Sequence, residues 1–448
     1  MKRRACIILC LLTMLGFAVV FVQAQWNPFK IKPLNGYTPL VERPELTLDN
    51  FASGNYQDQA EQYIGEHLGF REFFIRSYNQ AVYSCFDNIT NNNIVEGFNH
   101  ELFLKMYLDE VSGKMLRTTF SNVEEAKAVA QKNVEETLRL VDTLRQHGTE
   151  FLFIFAPSKT RVYPEWLPKQ YQDNIPDFSL QEYYIELFKE HGIPHVDFLN
   201  GFRSVKNTVE YPLYAKTGTH WAASTIPWVA DSILRKMEEL TCFNLPSDQR
   251  VNTVVSTDYY VMDRELEEDM NLLFPLSKPA LPNPTFFYAD TLGKDHPNLL
   301  VIGDSYSNQL VHSGFGEVFN HWDLWLYNKD IYSSRPRYNW MVLNRELDAI
   351  EMVNEADVVL AVFTAPMYYN YMFGFPKTIQ NIYQTGFVDD DEALLAIIDM
   401  IKRDSTWYNG VVEQAEQRNI TVEESILGNA QYYLEFKRQI NLQKTQQP

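Results

Sequence analysis

Apolar residues in this chain fall into two alternating patterns. Ala130, Val134, Leu138, Val141 and Leu144 recur at spacings of four and three, which predicts a helix over 122–147 with one buried face. Ser121 is placed to cap it with Glu124 reaching back, and Gly148 to end it. Directly afterwards, Phe151 to Ala156 is apolar without a break, as in a strand covered on both faces. The change of period then repeats. Helices are predicted near 179–191, 223–240 and 344–355, and strands at 195–199, 299–303, 324–327 and 357–363. Such alternation predicts an α/β fold, a three-layer α/β/α sandwich around a mostly parallel sheet.

Other stretches break the pattern. Residues 244–298 are Pro-rich and read as irregular, while 25–45 are polar and dotted with proline. Gly65 to Arg76 crowds Leu68, Phe70, Phe73, Phe74 and Ile75 too closely for one stripe, and reads as a turn entering a buried helix. Asn91 to Phe98 reads as turn, short strand, turn. Past Phe387, helices are predicted from about 390, at 407–418 and at 422–439. The expected organisation is therefore a signal peptide or signal anchor (1–24), an arm (25–49), an α/β domain (50–387) and a helical extension (388–448).

Composition narrows the class. Among 448 residues the apolar share of 45% fits a folded core, and the net charge of −19 disfavours nucleic acid as a partner. Lys2-Arg3-Arg4 ahead of an uncharged, mostly apolar run to Val22, then Gln23-Ala24, has the form of a secretory signal. Cleavage after Ala24 and an uncleaved anchor both stay open, since the run is just long enough to span a bilayer. Either way the remainder is expected outside the cytoplasm, in the periplasm or held at the inner membrane. Cys85 and Cys242 lie beyond the signal, either paired or as two buried thiols. Two cysteines without Cys-x-x-Cys or His-x-x-x-His give no basis for a metal site, and no cofactor is expected.

The candidate chemistry lies where strand 299–303 runs into Gly303-Asp304-Ser305. A hydroxyl at a sheet's carboxyl edge, beside free backbone N–H groups, suits a nucleophile next to an oxyanion hole. Ser305 needs a base, and His220, in Lys216-Thr-Gly-Thr-His-Trp221, sits in a polar loop before a helix. His312 and His321 are its rivals. Asp304 and Tyr306 flank the serine as supporting residues, with the Ser305 N–H as oxyanion donor. Lys159 and Arg161, after strand 151–156, and the aromatic run holding Tyr368 and Tyr369 follow strands at the same edge; with Trp221 they are candidate substrate contacts. Solvated loop charges and core packing are the plainer readings of these five.

The ordered set Ala156 to Glu165, then Lys216 to Trp221, then Gly303-Asp-Ser-Tyr-Ser307, together with the earlier Gly-Phe-Arg-Glu-Phe-Phe-Ile-Arg, resembles the alginate O-acetyltransferase family of AlgX/AlgJ type with an SGNH-hydrolase-like domain. The resemblance covers roughly residues 50–375. It implies an exported serine enzyme that moves acetyl groups onto a polysaccharide, often beside a membrane-bound O-acyltransferase that supplies them. Carried over by position, Ser305 is the nucleophile and His220 the base. The family usually has Asp two residues before that histidine, where this chain has Gly218. A main-chain carbonyl or an acid from 244–298 is the expected substitute, unless the site is degenerate. The family's carbohydrate-binding C-terminal module is not evident, and helices stand in its place. A carbohydrate acetylesterase with the same serine and histidine, and a non-catalytic glycan-binding or scaffold protein, are the competing readings.

Overall fold

The unbroken apolar runs become the middle of one sheet. In the computed structural model, which describes residues 2–36, 41–335, 345–387, 390–418 and 420–445, the strands along the chain are β1 (Ile94–Glu96), β2 (Leu102–Leu104), β3 (Glu150–Phe155), β4 (His195–Asp197), β5 (Gln249–Ser256), β6 (Leu281–Tyr288), β7 (Asn298–Gly303), β8 (His321–Leu326), β9 (Asp330–Ser333) and β10 (Val358–Phe363). Six form the central sheet in the order β4-β3-β10-β7-β8-β9. The first five are parallel, and β9 returns antiparallel to β8 at the edge.

Alternation along these strands divides the core in two. Phe151, Phe153 and Phe155 of β3, Leu300 and Ile302 of β7, and Val359 and Ala361 of β10 face helices Val123–Gln146, Leu180–Glu190 and Phe375–Thr385. Leu152, Ile154, Leu299, Val301, Leu360 and Val362 face helix Ile226–Leu240 and Tyr306, Leu310 and Trp221 on the other side. Both layers are needed because each strand is apolar on both faces. The predicted helix at 344–355 is Arg345–Glu355, residue 344 lying outside the described residues.

Several expectations are corrected. Asn122, not Ser121, caps the helix starting at Val123: its side chain accepts from Glu125 N, and Glu125 accepts from Ser121 N. The capping box is there, shifted by one residue. The stretch 244–298 is not wholly irregular, since β5 and β6 pair antiparallel across it. Pro282 and Pro284 lie in β6, and β5 is largely exposed, so neither carried the pattern of a buried strand. Helix Arg71–Phe86 buries none of its residues, and Phe73 and Phe74 stay nearly half exposed. Cys85 and Cys242 are exposed and unpaired, so they are neither a disulfide nor buried thiols.

The chain starts with an apolar helix, Lys2–Trp26, long and apolar enough to cross a membrane. Its last turns are joined to the arm and to the 65–76 stretch. Gly69 packs against the Val20 carbonyl with no space for a side chain, and the Gln23 side chain bonds Asn27 Oδ1 and the Phe29 carbonyl. At the other end, helices Asp390–Arg403, Ser405–Arg418 and Val422–Thr445 share an apolar cluster that includes Ile397, Ile401, Val411 and Ala430.

Candidate active site

β7 delivers Ser305 to the carboxyl edge of the sheet. Gly303 is required there, because a Cβ would lie 2.7 Å from both Ser307 Oγ and the Val362 carbonyl. Asp304 caps the next helix, Ser305–Val311, by accepting from Tyr306 N at 3.0 Å. Its other oxygen accepts from the Thr364 amide and hydroxyl at 2.9 and 2.6 Å, tying the turn to the end of β10. Burial pushes the Asp304 carboxyl up from its ordinary pKa. Asp304 therefore shapes the turn and makes no hydrogen bond to His220. The next side chain, Tyr306, is fully buried, and its hydroxyl donates to the Thr219 carbonyl at 2.6 Å.

This last bond joins the serine turn to the histidine loop. His220 Nε2 lies 2.8 Å from Ser305 Oγ, although 85 residues separate them. The loop is held from beneath by Lys159. Its ammonium donates to the carbonyls of Leu102, Ala215 and Lys216 at 2.9–3.0 Å and pairs with Glu101 at 2.9 Å. Burial lowers the pKa of Lys159, with Glu101 opposing. Removing this cation from water costs several kcal/mol, offset by these acceptors. Arg161 is likewise buried, against Glu110.

Glu265 lies behind the imidazole. Both its oxygens are 2.8 Å from His220 Nδ1, and Oε1 also accepts from the Thr219 amide at 2.8 Å. With Nδ1–H facing a carboxylate, Nε2 is left free to accept from the serine hydroxyl. Glu265 starts a short helix, Glu265–Asp269, anchored by Leu266 and Met270, which pack on Ile94 and Leu102 of β1 and β2. The two segments are zipped together. The Leu266 amide donates to the Thr217 carbonyl, the Thr217 hydroxyl to the Asp263 carbonyl, and the Ala223 amide to the Asp263 carboxylate. Gly218 lies at their closest approach, where a Cβ would stand 2.7 Å from the Met262 carbonyl and 3.0 Å from Asp263 Cα. The glycine that removes the expected acid is also what lets another one in. The sequence left a main-chain carbonyl, an acid from 244–298 and a degenerate site all open, and did not single out Glu265. Its one signal was local: Leu266 and Met270, four apart, mark an inward helix face at that point.

The row opens into a pocket of about 190 Å³ lined by Leu104, Met106, Tyr107, Glu265, Asp269, Tyr327 and Met367, among others. Tyr327, in the left-handed region at φ 55°, turns back from β8 and sets its hydroxyl against the Ser305 amide and side chain. Burial raises its pKa, with Asp304 adding to the effect. Sequence reasoning missed Tyr327, since it lies in the turn between β8 and β9. The five candidate substrate contacts are corrected. Lys159 and Arg161 spend their charge inside the protein, and Trp221 and Tyr368 are buried in the core. Tyr369 packs on Phe120. None of the five lines the pocket. His312 Nδ1 bonds the Asn308 carbonyl and His321 lies beside Glu355, so neither rival meets Ser305.

This packing makes two variants informative. Restoring an acid by Gly218→Asp should lower stability by about 1–3 kcal/mol and reduce rather than raise esterase activity, because the turn carrying Glu265 must move. A stable variant of increased activity would contradict that account. Burial, first of its causes, raises the Asp263 carboxyl from 3.8 to about 7. Between these values the folded chain keeps a proton that the unfolded chain has released, so this group's stabilising contribution falls as pH rises from about 4 to about 7. Asp263→Asn should therefore gain in melting temperature over the parent as pH rises through that window, with a ceiling of about 4 kcal/mol. A difference independent of pH would refute it.

Comparison with known proteins finds relatives in both sequence and structure. The family described as SGNH hydrolase-like domain, acetyltransferase AlgX, matches residues 115–317. A probable alginate O-acetylase AlgJ of Pseudomonas putida is 24% identical over 160 residues, 35% of this chain. The match spans 41% of that relative's length. Among solved structures, the O-acetyltransferase domain of Pseudomonas putida AlgJ aligns with TM-score 0.39 at 18% identity, covering 62% of this chain and 92% of that one. Pseudomonas aeruginosa AlgX aligns with TM-score 0.37 at 15% identity, covering 63% and 65%. Through residues 115–317, the chain is thus similar to the SGNH hydrolase-like domain of AlgX/AlgJ-type proteins.

Proposed function

We propose that this protein is an exported serine-dependent O-acetyltransferase that passes acetyl groups to a polysaccharide through an acetyl-serine intermediate. The observation that carries this reading is the hydrogen-bonded row Ser305–His220–Glu265 opening into a pocket. The Ser305 hydroxyl attacks the carbonyl carbon of the acetyl donor while its proton passes to His220 Nε2. Glu265 stabilises the imidazolium and holds the ring's orientation. Negative charge gathers on the former carbonyl oxygen, for which the Ser305 N–H and the Tyr327 hydroxyl, both beside the nucleophile, are the proposed donors. Collapse expels the donor's leaving group, which takes the proton from His220. A sugar hydroxyl then gives its proton to the same nitrogen and attacks the acetyl-serine, releasing the ester and restoring the serine. Water in place of the sugar gives an acetylesterase. The proposed donor side is a membrane-bound O-acyltransferase, in keeping with the family.

The same reading places the protein at a membrane. Gly69 seated on the Val20 carbonyl, and the Gln23 side chain folded onto Asn27 and Phe29, support a leader helix kept as an anchor rather than removed. Intact-mass measurement on protein purified from membranes should find the helix present. A mature chain beginning at Gln25 would contradict the anchor.

Activity is tested with an activated acetyl ester. Ser305→Ala should lose all turnover above background. Glu265→Gln should lower kcat by about 10²–10⁴ with a smaller change in KM, and Tyr327→Phe by about 10–10². Ser305→Ala turning over as fast as the parent would leave a glycan-binding or scaffold role. An unaffected Glu265→Gln would remove the acid from the scheme.

A further inference from the structure

The pocket at Ser305 has a charge character that bears on which polysaccharide it serves. Three carboxylic residues line it, Glu265, Asp269 and Asp304, and among the described residues no Lys or Arg does. Two of the three are engaged: Glu265 with His220, and Asp304 with Thr364 and Tyr306. Asp269 is held differently. One oxygen accepts from Asn35 Nδ2 of the N-terminal arm, and the residue is only partly buried at the pocket wall. The cations that could have offset this charge are turned away. Lys159 gives its donors to backbone carbonyls and to Glu101, and Arg161 gives its own to Glu110. Lys32 of the arm is paired with Glu268. Leu104, Met106 and Met367 give the pocket an apolar side.

We infer that the acceptor is an uncharged glycan, a sugar that brings hydroxyls but no carboxylate to the acetyl-serine. This assignment rests on the proposed transfer reaction and adds the substrate class. A uronate residue entering the pocket would set its carboxylate beside Asp269 with no Lys or Arg among the lining residues to offset the pair, and like charges close together repel. A neutral sugar meets no such barrier. Its hydroxyls can donate to Asp269, and its apolar ring faces suit the methionine wall.

Transfer assays on the full chain in detergent micelles test this. p-Nitrophenyl acetate serves as donor, and neutral β-1,4-linked manno-oligosaccharides compete with mannuronate oligosaccharides of equal length, with products read by mass spectrometry. At low ionic strength the neutral acceptor should take acetyl about tenfold or more in preference, and ~0.5 M salt should narrow the gap as screening shortens the repulsion. Asp269→Asn, normalised to the same variant's donor turnover without acceptor, should move the ratio about threefold or more towards the uronate. Equal or greater transfer to the mannuronate by the parent would overturn the acceptor assignment while leaving the serine chemistry intact. Ser305-dependent hydrolysis with no transfer to either sugar would overturn it as well. Donor turnover that survives Ser305→Ala would instead remove the underlying reaction, and this inference with it.

Discussion

Contact between two short segments, the 217–223 loop and the 261–270 turn, is the constraint on which the site depends. The first is a loop, and the second holds only one short helix, Glu265–Asp269. Each supplies acceptors for the other's donors, through Thr217, Asp263, Ala223 and Leu266, and the apolar side chains Leu266 and Met270 pin the turn to β1 and β2. The His220–Glu265 bond forms inside this seam. Because the seam is tight at Gly218, the position of the carboxylate is set by backbone contact and not only by one side-chain rotamer. A base whose ring is held from both Nδ1 and Nε2 has little freedom to leave its serine.

Lys159 shows how the fold meets the cost of such a loop. Carbonyls that point inward from a loop need donors in a dry interior. One buried ammonium answers two of them, those of Ala215 and Lys216, along with that of Leu102. A charge that would be expensive if unpaired thus acts as a structural fastener, with Glu101 balancing it. Tyr306 works in the same way from above, by bonding the Thr219 carbonyl.

How much of this was readable in the chain differs by element for physical reasons. The parallel sheet was legible because β3, β7 and β10 are apolar on both faces, so burial alone determines the pattern. β5 and β6 were not, since β5 is largely exposed and β6 carries two prolines among its buried and half-buried positions. Ser305 and His220 could be picked out because each follows from a local setting, a strand end and a polar loop. Glu265 could not be chosen, as its role exists only in the contact with a loop 45 residues earlier. Lys159 and Arg161 misled because loop cations are usually wet, and nothing local in the sequence revealed the carbonyls and carboxylates that draw them inside. Tyr368 misled for a related reason. It follows a strand at the ligand edge, yet Phe153, Phe155 and Tyr184 take it into the core.

The substitution at Gly218 also has a bearing on how relatives are sorted. A search keyed to three adjacent letters would discard this chain as dead, and would discard any cousin that made the same exchange. Taken as a pair, a small residue before the histidine and a carboxylate on the facing turn describe one rewired solution, in which an acid has changed its address along the polymer without leaving its place in space.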